Sequence, residues 1–408
     1  MNAQVQHPPA VRAGCRGHRR VPPAQAGVIN TDQEFTMKKS LIALALASAF
    51  ATPAFAATGN VDVYGKLRVS LDYVDVDGLE KNWQLNDQTS RIGFKGTEDL
   101  GGGLRAIWQI EQALSSQGSI PYGKDMDFST GGEFSNFGGG TLASRNTYVG
   151  LAGDFGTFLV GRHDTPYKLV GSSDLFADTS ADSQNSSQLG GIIGYGVDDM
   201  TLMANGIDPV GGFDMRATNA IAYISPTFSG LTVIAAIVPG ESYANGSKAN
   251  GLADAYSVGL LYANGPLNLG LGYEMHTGDL VNDITYSATD DDESAWKLNA
   301  GYTIGDLKLG GTYEQQDGVM GNKSTNYLVS AAYGMGPITL AGQFGKRNVN
   351  SDAETWGSQD LTRWTIGAVY GLSMRTSAYV AYDHDKYENK YYGNTKANIF
   401  TVGLNHDF

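Results

Sequence analysis

The sequence predicts an all-β chain, a 16-stranded antiparallel transmembrane β-barrel with short periplasmic turns and long external loops. Three observations carry that prediction. Apolar and polar residues alternate from end to end, connectors alternate between tight and long, and the final stretch "ANIFTVGLNHDF" keeps its alternation to the last residue. There Phe400, Val402, Leu404, His406 and Phe408 fall on one face, and Thr401, Gly403, Asn405 and Asp407 on the other. A solvated tail has no use for a period of two or a terminal Phe. A closing barrel strand whose apolar face meets lipid uses both.

The same period runs through the chain. "VDVYGKLRVSLDY" sets Val61, Val63, Leu67, Val69 and Leu71 against Asp62, Lys66, Arg68, Ser70 and Asp72. "LNLGLGYE" sets Leu267, Leu269, Leu271 and Tyr273 against Asn268, Gly270, Gly272 and Glu274, and "LKLGGTYE" repeats the pattern. These read as half-buried strands, and no helical stripe of comparable length competes with them. Sixteen candidates begin near residues 61, 89, 104, 144, 157, 216, 231, 254, 267, 294, 307, 325, 337, 361, 375 and 397. The tight connectors include Asp154-Phe155-Gly156, Asn264-Gly265-Pro266, Gly305-Asp306, Met335-Gly336 and Leu372-Ser373. The long polar ones cover 114–143, 165–215, 240–253, 277–293, 348–360 and 386–396. Short turns at one rim and long loops at the other form the layout of an outer-membrane barrel.

Three strands bracket their apolar face with rings: Trp296 and Tyr302, Tyr327 and Tyr333, Trp364 and Tyr370. Aromatic girdles at the two membrane interfaces predict such pairs. Six residues of tilted strand cover only about 15 Å along the normal, less than a band of roughly 25 Å, so some rings belong on staggered strands.

Residues 37–56 read as a secretory signal peptide: Met37-Lys38-Lys39, a short apolar run from Leu41 to Phe50, and Ala54-Phe55-Ala56 before the cleavage point. The run is too short to span a membrane as a helix. Residues 1–36, with two Pro-Pro pairs and the single cysteine, Cys15, show no apolar period. They are expected to be disordered, the product of an upstream start assigned ahead of Met37. The barrel then occupies 57–408. Removal of residues 1–56 takes six of 28 basic and two of 42 acidic residues, leaving 22 and 40 and a net charge near −18. An acidic chain without cysteine has no disulfide framework or thiolate site and is a poor partner for nucleic acid.

At "SRIGFKGTEDLGGGLRAIWQIEQ", residues 90–112, the chain resembles the trimeric general porins of Gram-negative outer membranes, in the branch that includes neisserial porins. "SRNTYVGLAGDFGTFLVGR" (144–162), "IAYISPTFSGLTV" (221–233), "RTSAYVAYDHDKYEN" (375–389) and "VGLNHDF" continue the resemblance in order, over essentially all of 57–408. The resemblance implies a water-filled homotrimeric barrel that passes ions and small hydrophilic solutes by passive diffusion. It also implies an inward-folded third loop, here about 165–215, that narrows the lumen. That loop carries Asp174, Asp178, Asp182, Asp198 and Asp199, and is longer than the family leads one to expect. The basic wall facing it, by alternation, is Lys66, Arg68, Arg91, Lys95 and Arg105, with Arg145 in the "SRN" block of ambiguous phase. Outer-membrane lipid, lipopolysaccharide and the barrel-assembly machinery, which reads the terminal aromatic Phe408, are the other implied partners.

Other motifs fall away on chemistry. "GSIPYGK" (118–124) fits a phosphate-binding loop only in outline, since Asp125 replaces the Ser or Thr that holds Mg²⁺ and Pro121 removes an amide. "TDDDESA" offers Asp290, Asp291, Asp292 and Glu293 as hard-oxygen ligands for Ca²⁺ or Mg²⁺, or as a cation bridge to lipopolysaccharide phosphates, but it lacks EF-hand spacing and reads better as a solvated loop tip. His163, His276, His384 and His406 have no metal-ligand spacing. No cofactor and no enzymatic activity is expected. A substrate-selective channel, or a plugged barrel serving as enzyme or adhesin, are the competing readings. The acidic net charge favours weak cation preference at low salt, while a dense arginine cluster at the eyelet would reverse it.

Overall fold

The computed structural model describes residues 61–114, 143–182, 213–214, 216–241, 250–280, 292–318, 323–350, 359–389 and 393–408. The expected leader, 1–36 and 37–56, lies outside them, as do Asp198, Asp199, Asp290 and Asp291. The strands in chain order are β1 (Val61–Val76), β2 (Asn82–Asp87), β3 (Arg91–Gly101), β4 (Leu104–Ala113), β5 (Thr147–Gly153), β6 (Gly156–Asp164), β7 (Arg216–Ile224), β8 (Leu231–Val238), β9 (Ala255–Asn264) and β10 (Leu267–His276). There follow β11 (Glu293–Ile304), β12 (Leu307–Asp317), β13 (Lys323–Met335), β14 (Ile338–Asn350), β15 (Gln359–Gly371), β16 (Thr376–Asn389) and β17 (Gly393–Asp407).

These seventeen stretches make sixteen staves. β1 pairs with β3 from Val61 to Lys66 and with β2 from Val69 to Val74, so β2 and β3 are the two halves of one stave. The break between them is Gln88 to Ser90. Thr89 turns to φ 62°, and Asp87 accepts the Ser90 amide at 2.8 Å. The sheet closes through β1 and β17, antiparallel from Lys66 opposite Asp407 to Val76 opposite Ala397. Beyond that ladder Gly65 and Phe408 exchange both backbone hydrogen bonds at 3.0 Å. Among the described strands no open edge remains, which removes the aggregation hazard of an unpaired strand.

The faces are inverted relative to a soluble protein. Val63 is 57% exposed and Ile366 57%, whereas Asp72, Asp383 and Asp385 are fully buried. The outward apolar surface meets lipid and the inward surface holds the charges. Trp296, Tyr302, Tyr333, Trp364 and Tyr370 are exposed on the outer face, and Tyr327 is half-buried on the same face. Tight turns sit where expected, with Gly265, Gly305 and Gly336 each at φ 57–60°, a region open to glycine.

Several strands run further than the alternation suggests. β16 continues to Asn389 and β17 begins at Gly393, so most of the connector expected over 386–396 is ladder. The period in lipid-facing residues ends there, but backbone pairing does not need it. Lys386, paired with Glu388 at 2.7 Å, shows that polar side chains carry the hairpin on.

Candidate functional site

The third loop leaves β6 through one helical turn, α1 (Pro166–Leu169). Thr165 caps it by accepting the Lys168 amide at 3.3 Å, and Pro166 occupies the first turn, where its missing N–H costs nothing. From there the described part of the loop, up to Asp182, runs along the inner wall and is bonded to it repeatedly. The Tyr167 amide donates to Ser257 Oγ at 2.9 Å and the Tyr167 hydroxyl to Glu314. The Ser173 amide donates to Thr312 Oγ1 at 2.8 Å and its hydroxyl to Asn299 Oδ1 at 2.7 Å. The Leu175 amide donates to Gln343 Oε1 at 3.0 Å, and Arg363 Nη1 donates to the Asp182 carbonyl at 3.0 Å. Phe176 is buried against Ala381 on β16. The hydroxyl of Ser180 then meets Asp72 and Gln88. The described part of the loop therefore passes over β9 to β12 and β14 to β16 and at Ser180 reaches Asp72 on β1 and Gln88 just after β2. Opposite this path stands the arc of β3 to β7.

The basic residues gather around Asp178 and on that arc. Asp178 pairs with Arg68, accepts from Thr89 Oγ1 at 2.8 Å, and lies 3.9 Å from Arg91. Burial alone would raise the Asp178 carboxyl, but Arg68, Arg91 and the Thr89 hydrogen bond hold it well below the usual carboxylate range. Glu111 accepts from Arg145 Nε at 2.7 Å and from the Tyr64 hydroxyl at 2.9 Å, with Arg91 Nε 3.8 Å away. Further along the arc, Asp164 binds Arg216 at 2.9 Å and has Lys168 at 3.8 Å.

The wall under the loop carries acids in excess. Asp214, on the limb returning to β7, pairs with Lys297, and burial still pushes its carboxyl up to about 6. Lys297 Nζ also lies 4.2 Å from the centre of the Tyr167 ring. Burial, Glu314 and Asp214 raise the Tyr167 hydroxyl far above its ordinary range, so it stays a donor. His276 contacts Glu274 at 3.2 Å and Glu293 at 3.5 Å and stacks on Phe213. Arg363 bridges Asp383 at 2.7 Å and Asp385 at 3.1 Å.

Of the residues singled out in sequence, Arg68, Arg91, Arg145 and Asp178 are brought together, and the ambiguous phase of Arg145 resolves inward. Lys66 stands beside them, between Arg91 on β3 and Asp407 on β17. Lys95 and Arg105 lie nearer the short-turn rim, opposite Asp62 and Asp99 respectively. Lys95 Nζ sits 5.5 Å from the Tyr64 ring centre. Asp174 and Asp182 point their carboxylates at the loop itself, accepting the amides of Phe176 at 2.7 Å and Asp178 at 2.8 Å. Asp292 likewise accepts the Gly278 amide at 2.8 Å, and Glu293 turns inward to His276. The wall acids and Lys297, Arg363 and Arg216 were missed. Alternation assigns most of them inward, since Lys297 shares its phase with Ala295 and Arg363 with Thr365, but no single residue marks which strands the loop will touch.

A closed sixteen-stave barrel with charges inside and a loop laid along its inner wall invites comparison with known channels. A family model described as Gram-negative porin matches residues 43–390. The chain belongs to the Gram-negative porin family. This porin is 32% identical over 370 residues to the outer membrane porin protein 32 of Delftia acidovorans, covering 84% of this chain and 88% of that one. It is 28% identical over 395 residues to the major outer membrane protein P.IB of Neisseria lactamica, covering 91% and 100%. Among solved structures it superposes on an anion-selective porin from Comamonas acidovorans with a TM-score of 0.60, at 22% identity, over 86% of this chain and all of the other. The porin is an outer-membrane channel for passive diffusion, and the fold and neisserial resemblance expected from sequence agree with these matches.

Proposed function

We propose that the narrowest part of this channel lies between the third loop and the arc of β3 to β7, and that it prefers anions. The observation that carries the proposal is the placement of charge. Around Asp178 and the arc stand six cations, Lys66, Arg68, Arg91, Arg145, Lys168 and Arg216, beside Asp178, Glu111, Asp164 and Asp407. The acid-rich wall lies beneath the loop, where Tyr167 is fully buried on Glu314 and Asp214 on Lys297. Acids covered by the loop act weakly on passing ions, whereas the charges of the facing arc, where cations outnumber the acids beside them, set the local field. The preference drawn from net charge alone, weakly cationic, therefore gives way to the opposite sign. The Comamonas acidovorans porin of the same fold, described as anion-selective, lends this reading support.

Reversal potentials under a KCl gradient test it. The native channel should show anion preference, Arg68→Gln with Arg91→Gln should move the potential toward cations, and Asp178→Asn should strengthen the anion preference. Cation preference in the native channel, or no movement in either variant, refutes the assignment. A single substitution at Asp178 is the informative one. Replacing Asp174 or Asp182 as well would strip the loop of two internal caps and confuse shape with charge.

The porin is read as a homotrimer that contacts outer-membrane lipid and lipopolysaccharide and inserts through the barrel-assembly machinery. Conductance steps in multiples of three from single insertion events support the trimer, and single steps of one size count against it. A saturable block by one solute would favour a substrate-selective channel.

A further inference from the structure

We propose that Gly259, Gly270 and Gly272 are the residues that set the aperture of this channel. They form the seat in which the third loop rests. All three face the lumen on β9 and β10, and Gly272 is paired directly with Gly259. A methyl group added at Gly270 would stand 2.8 Å from Val170 Cγ1 and 3.2 Å from the Val170 carbonyl oxygen. At Gly259 it would stand 2.9 Å from the Pro166 carbonyl oxygen and 3.3 Å from Val170 Cγ2. At Gly272 it would meet the Tyr167 ring at 3.2 Å and Val170 Cγ2 at 3.3 Å. The atoms in the way belong to the loop at every one of these positions. None of the three has a left-handed φ, so their backbone suits any residue and only the loop requires glycine.

Val170 is 2% exposed and touches all three positions, so the loop presents one side-chain knob to one hole in the wall. On either side the loop backbone is tied down, by Tyr167 to Ser257 and by Ser173 to Thr312. A side chain in the hole cannot be absorbed by sliding the loop along the wall. It must lift the loop toward the lumen by several tenths of an ångström, the gap between approaches of 2.8 to 3.3 Å and ordinary contact. The distance from wall to loop thus fixes the width left to solutes. This rests on the third loop bounding the pore, as proposed above.

The test compares purified native porin with Gly259→Ala, Gly270→Ala, Gly272→Ala and the triple variant in planar bilayers. Gly301→Ala is the control, inward on β11, where an added methyl finds nothing nearer than 3.9 Å. The seat variants should lower conductance by about 1.2-fold or more and shift the exclusion limit for polyethylene glycols to smaller sizes, while the control matches the native channel. Adding Val170→Ala to Gly270→Ala should restore the native values, because it removes the methyls that clash. Val170→Leu in the native barrel fills the seat from the loop side without altering a strand, and should lower conductance even if a glycine variant fails to fold. Folded seat variants and a Val170→Leu channel that all conduct like the native protein would overturn the proposal. A native protein that does not conduct overturns the porin reading instead.

Discussion

At the scale of single residues, Asp178 links loop, wall and selectivity. Its carboxylate is held ionised by Arg68 and Arg91. A carboxyl whose pKa is depressed on folding stabilises the native state above its unfolded value, near 3.9, and that contribution fades as pH falls below it. The latch between loop and wall should therefore be unchanged from neutral pH to about 4.5 and weaken only below about 4. Conductance noise recorded at stepwise lower pH checks this. Flicker that rises between pH 7 and 5 would show that another group governs the loop. Asp178→Asn should flicker at every pH, since it leaves Arg68 without its charged partner.

At the scale of elements, the closing strand explains its own terminal residue. Phe408 exchanges two backbone hydrogen bonds with Gly65, and its ring lies over the outer face of that glycine, where any side chain would collide. The ring's burial is worth at most about 1.5–3 kcal/mol. Loss of Phe408 should therefore lower the amount of porin reaching the outer membrane more than it lowers the stability of the barrel that does. Membrane levels of a deletion variant, set against its resistance to heat in detergent, separate the two effects. Equal membrane levels would sink the assembly role. Gly65→Val should weaken the same closure from the other side, displacing the ring and lowering the temperature at which the barrel opens.

At the scale of the whole molecule, charge is sorted by its place along the loop. Arg68, Arg91 and Arg145 gather around Asp178 and Glu111, while the described part of the loop lies over Glu314, Asp383 and Asp385. A net charge near −18 describes none of this placement. The same sorting predicts how salt acts. Fixed charges beside a narrow aqueous path are screened over about 8 Å at physiological ionic strength and about 3 Å at 1 M. Anion preference should be strongest in dilute KCl and shrink toward molar salt. A preference independent of salt would place the deciding charges in contact with the ion.

What the sequence determined by itself is what depends on local periodicity. Membrane strands must satisfy every backbone group through their neighbours and offer alternate side chains to lipid and water, so barrel, stave count and inward phase are written residue by residue. Lys66, Arg68 and Arg91 were legible for that reason, and Gly270 and Gly272 already stood on the polar face of "LNLGLGYE". Two things were decided only by the tertiary structure. The broken stave at Gln88 to Ser90 is one, since β2 and β3 are a single stave only through shared pairing with β1. The path of the third loop is the other. Which carboxylate meets an arginine, which caps its own loop, and which glycine makes room for Val170 depend on contacts across 90 to 180 residues of chain. Period two carries no information at that range, and only closure of the barrel brings those residues within reach.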